Sequence, residues 1–413
     1  MSLIEIKDDI ERFILVGVTA FENDDTEQSL DELKELVYTA GGVVVGRLTQ
    51  NREKVHPATY IGKGKIDELK NFAYDKGATG IICDDELSPA QLRNLKDELQ
   101  IKVLDRTIVI LDIFASRAST REGKIQVELA QLKYRSTRLI GLGNELSRLA
   151  GGIGTRGPGE TKLEVDRRVI RERIGILNKE LDDVKKGRQI TRNLRSNSFI
   201  PVVAIVGYTN AGKSTLLNYL TDAKVLEEDK LFATLDPTTR NFTLDSGEQI
   251  LLTDTVGFIR KLPHHLIEAF RSTLEEAKYA NIIIHVVDSS SPNANLQMHI
   301  VYETLEKLGI KDKTIITVFN KQDKMEEESL IKDLKADYTV KISAKKGDNT
   351  QSLLKIIEDV LKNQKVYVEK VISYDDASKI QIIRKSGILL EEEYRQEGIF
   401  IKAYVPKGFE HSL

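Results

Sequence analysis

Residues 202–215 read Val202-Val203-Ala204-Ile205-Val206-Gly207-Tyr208-Thr209-Asn210-Ala211-Gly212-Lys213-Ser214-Thr215. An apolar run leads into G-x-x-x-x-G-K-[ST], the spacing of a phosphate-binding loop that leaves a strand and opens a helix. The residue types fit the chemistry. Gly207 and Gly212 permit a tight turn and close backbone approach, and the amides from Asn210 to Ser214 can point at phosphate oxygens. The helix starting near Lys213 adds its positive end. Lys213 is expected to reach the β- and γ-phosphates, Ser214 to give its hydroxyl oxygen to Mg²⁺, and Thr215 to lie near the α-phosphate. Tyr208, Thr209 and Ala211 complete the loop.

Working outward, three further elements follow in order: Asp254-Thr255-Val256-Gly257, Asn320-Lys321-Gln322-Asp323 and Ser343-Ala344-Lys345. Asp254 can hold Mg²⁺ through water, and Gly257 can offer its amide to a γ-phosphate. The Asp323 carboxylate matches the ring imino and exocyclic amino protons of guanine, a donor pair that adenine lacks. A site built around such a pair can reject the analogue without it by up to about 10⁴–10⁵. Asn320 is expected to tie nucleotide and phosphate loop together, Lys321 to lay its stem along the base, and 343–345 to supply a backbone amide to the guanine carbonyl. Together these elements specify a guanine-nucleotide site and a GTPase. Between Lys230 and Asn241 the first switch is expected, in Leu231-Phe232-Ala233-Thr234-Leu235-Asp236-Pro237-Thr238-Thr239-Arg240. A threonine here must reach Mg²⁺ in the triphosphate state. Thr234, Thr238 and Thr239 compete, and spacing does not decide among them.

The chain has 413 residues, 40 % hydrophobic and 30 % charged, with no Trp, 8 Pro and a single cysteine, Cys83. Length and composition point to a globular protein of two to four domains. One cysteine excludes an internal disulfide and a cysteine-cluster metal site. It lies in the apolar run Gly80–Cys83, where an inert core thiol is expected. No signal-like N-terminus and no window of about 18 apolar residues are present, so a cytoplasmic protein is expected. A monomer is expected as well, and a peripheral membrane association for part of its population.

The net charge of −3 hides an asymmetry: residues 117–195 carry 19 Lys/Arg against 10 Asp/Glu, a net of +9. A basic block in an otherwise acidic chain suggests a polyanion partner such as RNA, against the plainer reading of two solvated charged helices. Around it, residues 1–115 alternate short apolar runs with helical patterns: strands at 13–18, 43–46, 80–83 and from Val103, helices at 27–40, 65–76 and 88–99. That alternation favours a parallel sheet. Leu163, Ile170, Ile174, Leu177, Leu181 and Val184 form a near-heptad stripe, and Ile125, Leu129, Leu132, Leu139 and Leu146 a second. Between them Ala150–Gly159 holds too many glycines to continue a helix. The expected chain is an α/β multidomain protein. It has an N-terminal α/β sheet domain (1–115), a long antiparallel helical hairpin (116–196) with a glycine-rich tip at 150–159, and a Ras-like P-loop GTPase domain (197–364). A small α+β C-terminal domain of one strand, a helix and two strands (365–413) completes it.

With these residues in hand, the chain resembles the HflX family of translational GTPases. The resemblance rests on GYTNAGKST at 207–215, LFATLDPTTR at 231–240, DTVGFI at 254–259, GGIGTRGPGETKLEVDRR at 151–168 and YIGKGK at 60–65, and covers nearly the whole chain. It implies a GTPase that binds the large ribosomal subunit and its RNA, splits or rescues stalled or idle ribosomes, often under heat stress, or acts in subunit assembly. It also implies that the glycine-rich loop, with Arg156, reaches toward ribosomal RNA. The FATL match makes Thr234 the preferred Mg²⁺ ligand and Thr238 the second, and it extends the nucleotide-contacting set over Phe232, Ala233, Thr234, Leu235 and Asp236. The catalytic set is then Lys213, Asp254, Gly257 and Thr234. The resemblance further raises ATP at the N-terminal domain, where Gly62-Lys63-Gly64-Lys65 precedes a helix but lacks a full phosphate-loop pattern. Ras-like GTPases carry a water-orienting Gln directly after D-x-x-G; here that position is Phe258. Slow intrinsic hydrolysis is expected, stimulated by the ribosome or by a rearranged second switch. His264 and His265 lie in that segment and read as solvated switch residues. The competing reading is an RNA-binding scaffold whose nucleotide sets affinity with little turnover.

Overall fold

The computed structural model describes residues 10–19, 25–149, 158–197, 200–221, 231–232, 235–263, 266, 276–325, 331–407 and 409–411, with side chains left out at 140–149, 158–163 and 189–197. The chain condenses into two compact units. One comprises 1–182 with 260–269, the other 183–259 with 270–413.

The first unit starts with β1 (Arg12–Thr19), α1 (Thr26–Thr39), β2 (Val43–Asn51), α2 (Lys63–Lys76), β3 (Gly80–Cys83), α3 (Pro89–Leu99) and β4 (Lys102–Asp105). The strands form a four-stranded sheet in the order β2-β1-β3-β4, parallel throughout. Parallel pairing follows from helices of 11–14 residues between strands, which carry the chain back to its starting edge. Ile14, Val16, Ile81 and Cys83 pack with Leu69 and Leu95 in one core. Cys83 is fully buried there, and burial pushes its thiol pKa well up, as suits an inert thiol. Ser88 closes a capping box with Gln91, and Pro89 takes the first helical position.

The strand and helix expectations hold, with three differences. Strand β2 runs on to Asn51, past the expected end at Gly46. Helix α2 starts at Lys63 rather than Lys65. A further helix, α4 (Arg106–Arg117), crosses the position where the first domain was expected to end. Its side chains are apolar on most of its circumference, so it shows no amphipathic stripe to read. It is placed by burial of Val109, Ile110, Leu111, Ile113 and Phe114.

Two long helices follow, α5 (Arg121–Leu149) and α6 (Pro158–Asn197). Ile125 and Leu129 pack with Leu177 and Leu181, with Leu132 and Ile174 alongside. Arg121 pairs with Glu180 at 3.6 Å, Arg173 with Glu128 at 2.7 Å, and Arg167 donates to the Leu139 carbonyl at 2.8 Å. As one helix ascends in number the other descends, which makes the pair antiparallel. The tip at 150–157, with Arg156, lies outside the described residues.

The second unit contains β5 (Val202–Gly207), α7 (Lys213–Thr221), β6 (Thr238–Thr243), β7 (Gln249–Asp254), β8 (Ile282–Asp288), α8 (Ala294–Lys307), β9 (Thr314–Asn320), β10 (Tyr338–Lys341) and α9 (Thr350–Asn363). The six strands order as β10-β9-β8-β5-β7-β6, all parallel except that β6 runs antiparallel to β7. The central strands are buried on both faces, as uninterrupted apolar sequence requires. The edge strand β6, Thr238–Thr243, is not apolar and was not foreseen. The rest of this unit is β11 (Lys365–Ile372), α10 (Ser378–Ser386), β12 (Ile388–Arg395) and β13 (Gly398–Pro406), a three-stranded antiparallel sheet in the order β11-β13-β12. Its one strand, helix and two strands are those expected. Among the described residues no helix is long and apolar enough to cross a membrane.

Candidate nucleotide site

The motif residues gather at one edge because parallel strands all end there. In β5 the chain stops at Gly207; Ile205 lies opposite Asp254 on β7, Gly207 opposite Val286 on β8, and Asp288 on β8 opposite Asn320 on β9. Neighbouring strands β8 and β7 leave β5 on opposite sides, so the loop after Gly207 opens at the point where strand order reverses.

Glycine is needed at two places in that loop. Gly207 has φ +154° and a Cβ there would run into the Val286 carbonyl; Gly212 has φ +94° and a Cβ there would meet the Asn320 amide. Asn210 also takes a left-handed φ of +59°. The turn delivers Lys213 and Ser214 to the start of α7, with Thr215 in its first turn. Lys213 donates to the Tyr208 carbonyl at 2.8 Å and is 6 % exposed. Burial lowers its pKa to about 8, opposed by the nearby Asp254 carboxylate. Ser214 Oγ donates to Asp254 Oδ2 at 2.7 Å.

These two hard oxygen donors, with Lys213 beside them, form a set that suits Mg²⁺ shared with phosphate oxygens. Gly257 adds to the cradle. A Cβ there would stand 2.8 Å from the Thr209 methyl and 3.0 Å from the Lys213 ammonium nitrogen, so only glycine brings its backbone this close. Thr255 is turned away from the loop; its hydroxyl donates to the Ile205 carbonyl at 2.8 Å. Val256 is buried.

The residue after Gly257 is held by its backbone. Phe258 donates its amide to the Gly207 carbonyl at 3.1 Å and accepts from the Thr209 amide at 2.8 Å, while its ring is 2 % exposed. The two backbone bonds fasten 258 to the phosphate loop, and the ring is buried. The buried Thr209 hydroxyl has no hydrogen-bond partner among the described residues, and it stands beside Gly257.

The base-side loops are stitched to the phosphate loop through one side chain. Asn320 Nδ2 donates to the Ala211 carbonyl at 2.9 Å, and its Oδ1 accepts from the Ala344 amide at 2.9 Å. The first bond is the tie that the sequence anticipates. The second commits the Ala344 amide, which leaves Lys345 as the candidate donor to a guanine carbonyl. Asp323 lies in a short 3-10 turn, Gln322–Lys324, and accepts from Ser343 Oγ at 2.7 Å. That hydroxyl holds the Asp323 carboxyl below the usual range and fixes its orientation. Lys321 has φ +63° and its ammonium pairs with Asp288 at 2.8 Å. Gln322 donates to Ser289 Oγ at 2.9 Å.

Asp288 and Ser289 were missed in the sequence. The signal was there: an acidic residue ends the apolar run of β8, level with Asn320.

In the first switch the structure brings Phe232 and Leu235 into buried positions, and Asp236 follows Leu235. Thr234 and Ala233 lie outside the described residues, as do His264 and His265. Of the competing threonines, Thr239 shares a hydrogen bond of 3.0 Å with Thr253 on β7, and Thr238 stands opposite Asp254 in the strand register. Gly62 caps the start of α2, its amide given to Gln50 Oε1 at 2.8 Å, and Lys65 pairs with Glu68.

Most of the chain is similar to known protein families. Residues 27–115 match the family described as GTP-binding GTPase N-terminal, 117–195 the GTP-binding GTPase middle region, and 202–321 the 50S ribosome-binding GTPase. A protein named GTPase HflX from Lacrimispora saccharolytica is 63 % identical over 412 residues, covering 100 % of this chain and 97 % of that one. Its namesake in Escherichia coli is 44 % identical over 317 residues, 77 % of this chain and 74 % of that one. Among solved structures, a GTP-binding protein from the archaeon Sulfolobus solfataricus, crystallised with GDP, is 27 % identical, with 84 % of this chain and 98 % of that chain covered at a TM-score of 0.44.

Proposed function

This chain belongs to the HflX family of GTPases, a GTP-binding and GTP-hydrolysing enzyme, and we propose that its hydrolysis governs attachment to the large ribosomal subunit. On this reading it splits or rescues stalled or idle ribosomes, or acts in subunit assembly, from the cytoplasm. The observation that carries it is the match of 202–321 to 50S ribosome-binding GTPases, with the basic antiparallel hairpin of α5 and α6 as the surface for ribosomal RNA.

Within the site, we assign Lys213 to the β- and γ-phosphates, Ser214 and Thr234 to Mg²⁺, Asp254 to the same ion through water, and Asp323 to the guanine edge. Bound there, Mg²⁺ would neutralise phosphate charge that develops during transfer. Asn320 does not need to touch the nucleotide to matter, since it locks the phosphate loop to 343–345. Phe258 gives hydrolysis its character. Its ring is packed away and offers no polar atom to an attacking water, so the intrinsic rate is low and a group from outside the site completes it. A group supplied in trans is worth about 10³–10⁵ in rate.

Multiple-turnover GTPase assays with and without purified 50S subunits test this. The expected result is a rise in kcat of at least about 10³-fold, the low end of the range for such groups, together with co-sedimentation on 50S in a GTP-analogue state and release in GDP. Salt-sensitive binding is expected from phosphate contacts. An unchanged kcat at saturating 50S would refute the proposal and favour a nucleotide-gated scaffold.

A further inference from the structure

The position after Gly257 offers no polar atom to an attacking water, since Phe258 carries only a buried ring. What stands beside it is a hydroxyl. Tyr208 and Phe258 form a parallel bridge, and the next residue of the phosphate loop, Thr209, donates its amide to the Phe258 carbonyl at 2.8 Å. Thr209 is thereby held level with the end of D-x-x-G.

Its side chain shares a small volume with two groups assigned to the γ-phosphate. A Cβ built on Gly257 would meet the Thr209 methyl at 2.8 Å, the Thr209 Cα at 2.9 Å and the Lys213 ammonium nitrogen at 3.0 Å. Thr209 is 6 % exposed, and its Oγ1 is buried with no hydrogen-bond partner among the described residues. Other polar side chains of the loop do find partners: Lys213 uses the Tyr208 carbonyl and Ser214 uses Asp254. A hydroxyl withdrawn from water and left unpaired costs free energy, which is why buried polar groups are nearly always bonded. Valine would fill the same volume without that cost. Branching at Cβ also restricts the side-chain rotamer, so with the methyl against Gly257 the hydroxyl has few directions to take.

We propose that Thr209 is a further catalytic residue, whose hydroxyl holds the water that attacks the γ-phosphorus, the task for which Phe258 has no polar atom. A hydroxyl has one donor and two acceptor lone pairs, so Thr209 accepts from the water while donating to a γ-phosphoryl oxygen. The water oxygen bonds to phosphorus as the bond from phosphorus to the bridging oxygen breaks. That electron pair leaves on GDP, and the proton lost by the water passes to an oxygen of the released phosphate. Thr209 keeps its own proton throughout; it positions the water and is too weak a base to abstract from it. This contact supports the slow rate of the chain alone, to which a group from outside adds. It rests on the assignment of the loop to GTP and not on attachment to the ribosome.

The test uses the full-length chain with Mg²⁺ and without ribosomes. Single-turnover GTP hydrolysis at saturating protein, affinities for labelled GDP and a non-hydrolysable GTP analogue, and the Tm of the nucleotide-free chain are measured in wild type, Thr209→Val and Thr209→Ser. Valine keeps the shape and deletes the hydroxyl; serine keeps the hydroxyl and deletes the methyl. Thr209→Val is expected to hydrolyse about 10–100-fold more slowly, the worth of one hydrogen bond to a charged group. Its affinities are expected to stay within about twofold of wild type, because the bond matters in the transition state. Its Tm is expected to equal or exceed that of wild type, since an unpaired buried hydroxyl is gone. Thr209→Ser is expected to hydrolyse within about threefold of wild type, because the hydroxyl remains. A Thr209→Val rate within about twofold of wild type overturns the proposal, as does a fall in rate matched by an equal fall in analogue affinity, the signature of ground-state binding. A serine variant as slow as the valine variant overturns it too, because shape would then be what counts. A lowered Tm in Thr209→Val would show that the hydroxyl is paired within the fold, with the same consequence. Failure of 50S to raise kcat changes none of these readings, so the two proposals fail separately.

Discussion

Lys213 shows how much one side chain takes from its surroundings. An unfolded lysine keeps its proton to about pH 10.4, whereas burial brings Lys213 down to about 8. Between those values the unfolded chain binds the extra proton, so this residue makes stability rise with pH across that window. Nucleotide affinity moves the other way, because phosphate needs the ammonium form. Titrations with fluorescent GDP from pH 7 to pH 9.5 are expected to show flat affinity at the low end and a fall approaching about tenfold per pH unit above 8. Affinity that stays level to pH 9.5 would mean that the lysine keeps its charge in the empty loop. The residue type was legible in the sequence; the depressed pKa was not, because it comes from strands packed around the loop.

At the scale of elements, the helical pair was legible in its central positions. Spacings of 4 and 3 put Ile174, Leu177 and Leu181 on one stripe, and those residues meet Ile125, Leu129 and Leu132. Periodicity is enough where burial is one-sided. The same reasoning passed over α4, apolar nearly all round, and over β6, polar and at a sheet edge. Neither has the one-sided pattern that periodicity detects. The seam is thin, so it is a sensitive place to cut. Leu177→Ala is expected to cost about 2–3 kcal/mol, at the low end for a buried leucine because two helices can settle together. Hydrogen exchange is expected to quicken at 125–132 and 174–181 while GDP affinity stays at the wild-type value. A loss of GDP affinity in that variant would show that the seam also supports the nucleotide site.

At the scale of the molecule, the second unit joins two sheets through a buried charge pair. Lys365, at the start of β11, pairs with Glu248 beside β7, and the two are 3 % and 2 % exposed. Burial raises the Glu248 carboxyl and lowers the Lys365 ammonium, and each partner opposes the shift in the other. Glu248 Oε1 has no hydrogen-bond partner among the described residues, so Lys365 is the counter-charge that this carboxylate depends on. Lys365→Met is expected to destabilise the unit by about 3–5 kcal/mol, since it leaves a buried charge uncompensated. Adding Glu248→Leu is expected to recover most of the loss. Urea unfolding of both variants checks this, and a double variant no better than the single would show that packing, not charge, holds the junction.

The sequence by itself determined the chemistry of the nucleotide loop, the choice of guanine and the strand–helix alternation. Each is encoded locally, in spacing, in glycine where a left-handed turn is needed, and in one-sided periodicity. Tertiary structure alone decided the rest. Beyond its expected tie to the phosphate loop, Asn320 takes the Ala344 amide on its Oδ1, Phe258 is tethered by its backbone to Gly207 and Thr209, and Arg260 and Lys261 lie against the acidic edge of the first sheet. These pairings join residues 24 to 235 positions apart, and nothing local in the sequence marks one partner for the other. They exist because parallel strands bring their carboxyl ends to one edge, where buried polar groups must find each other.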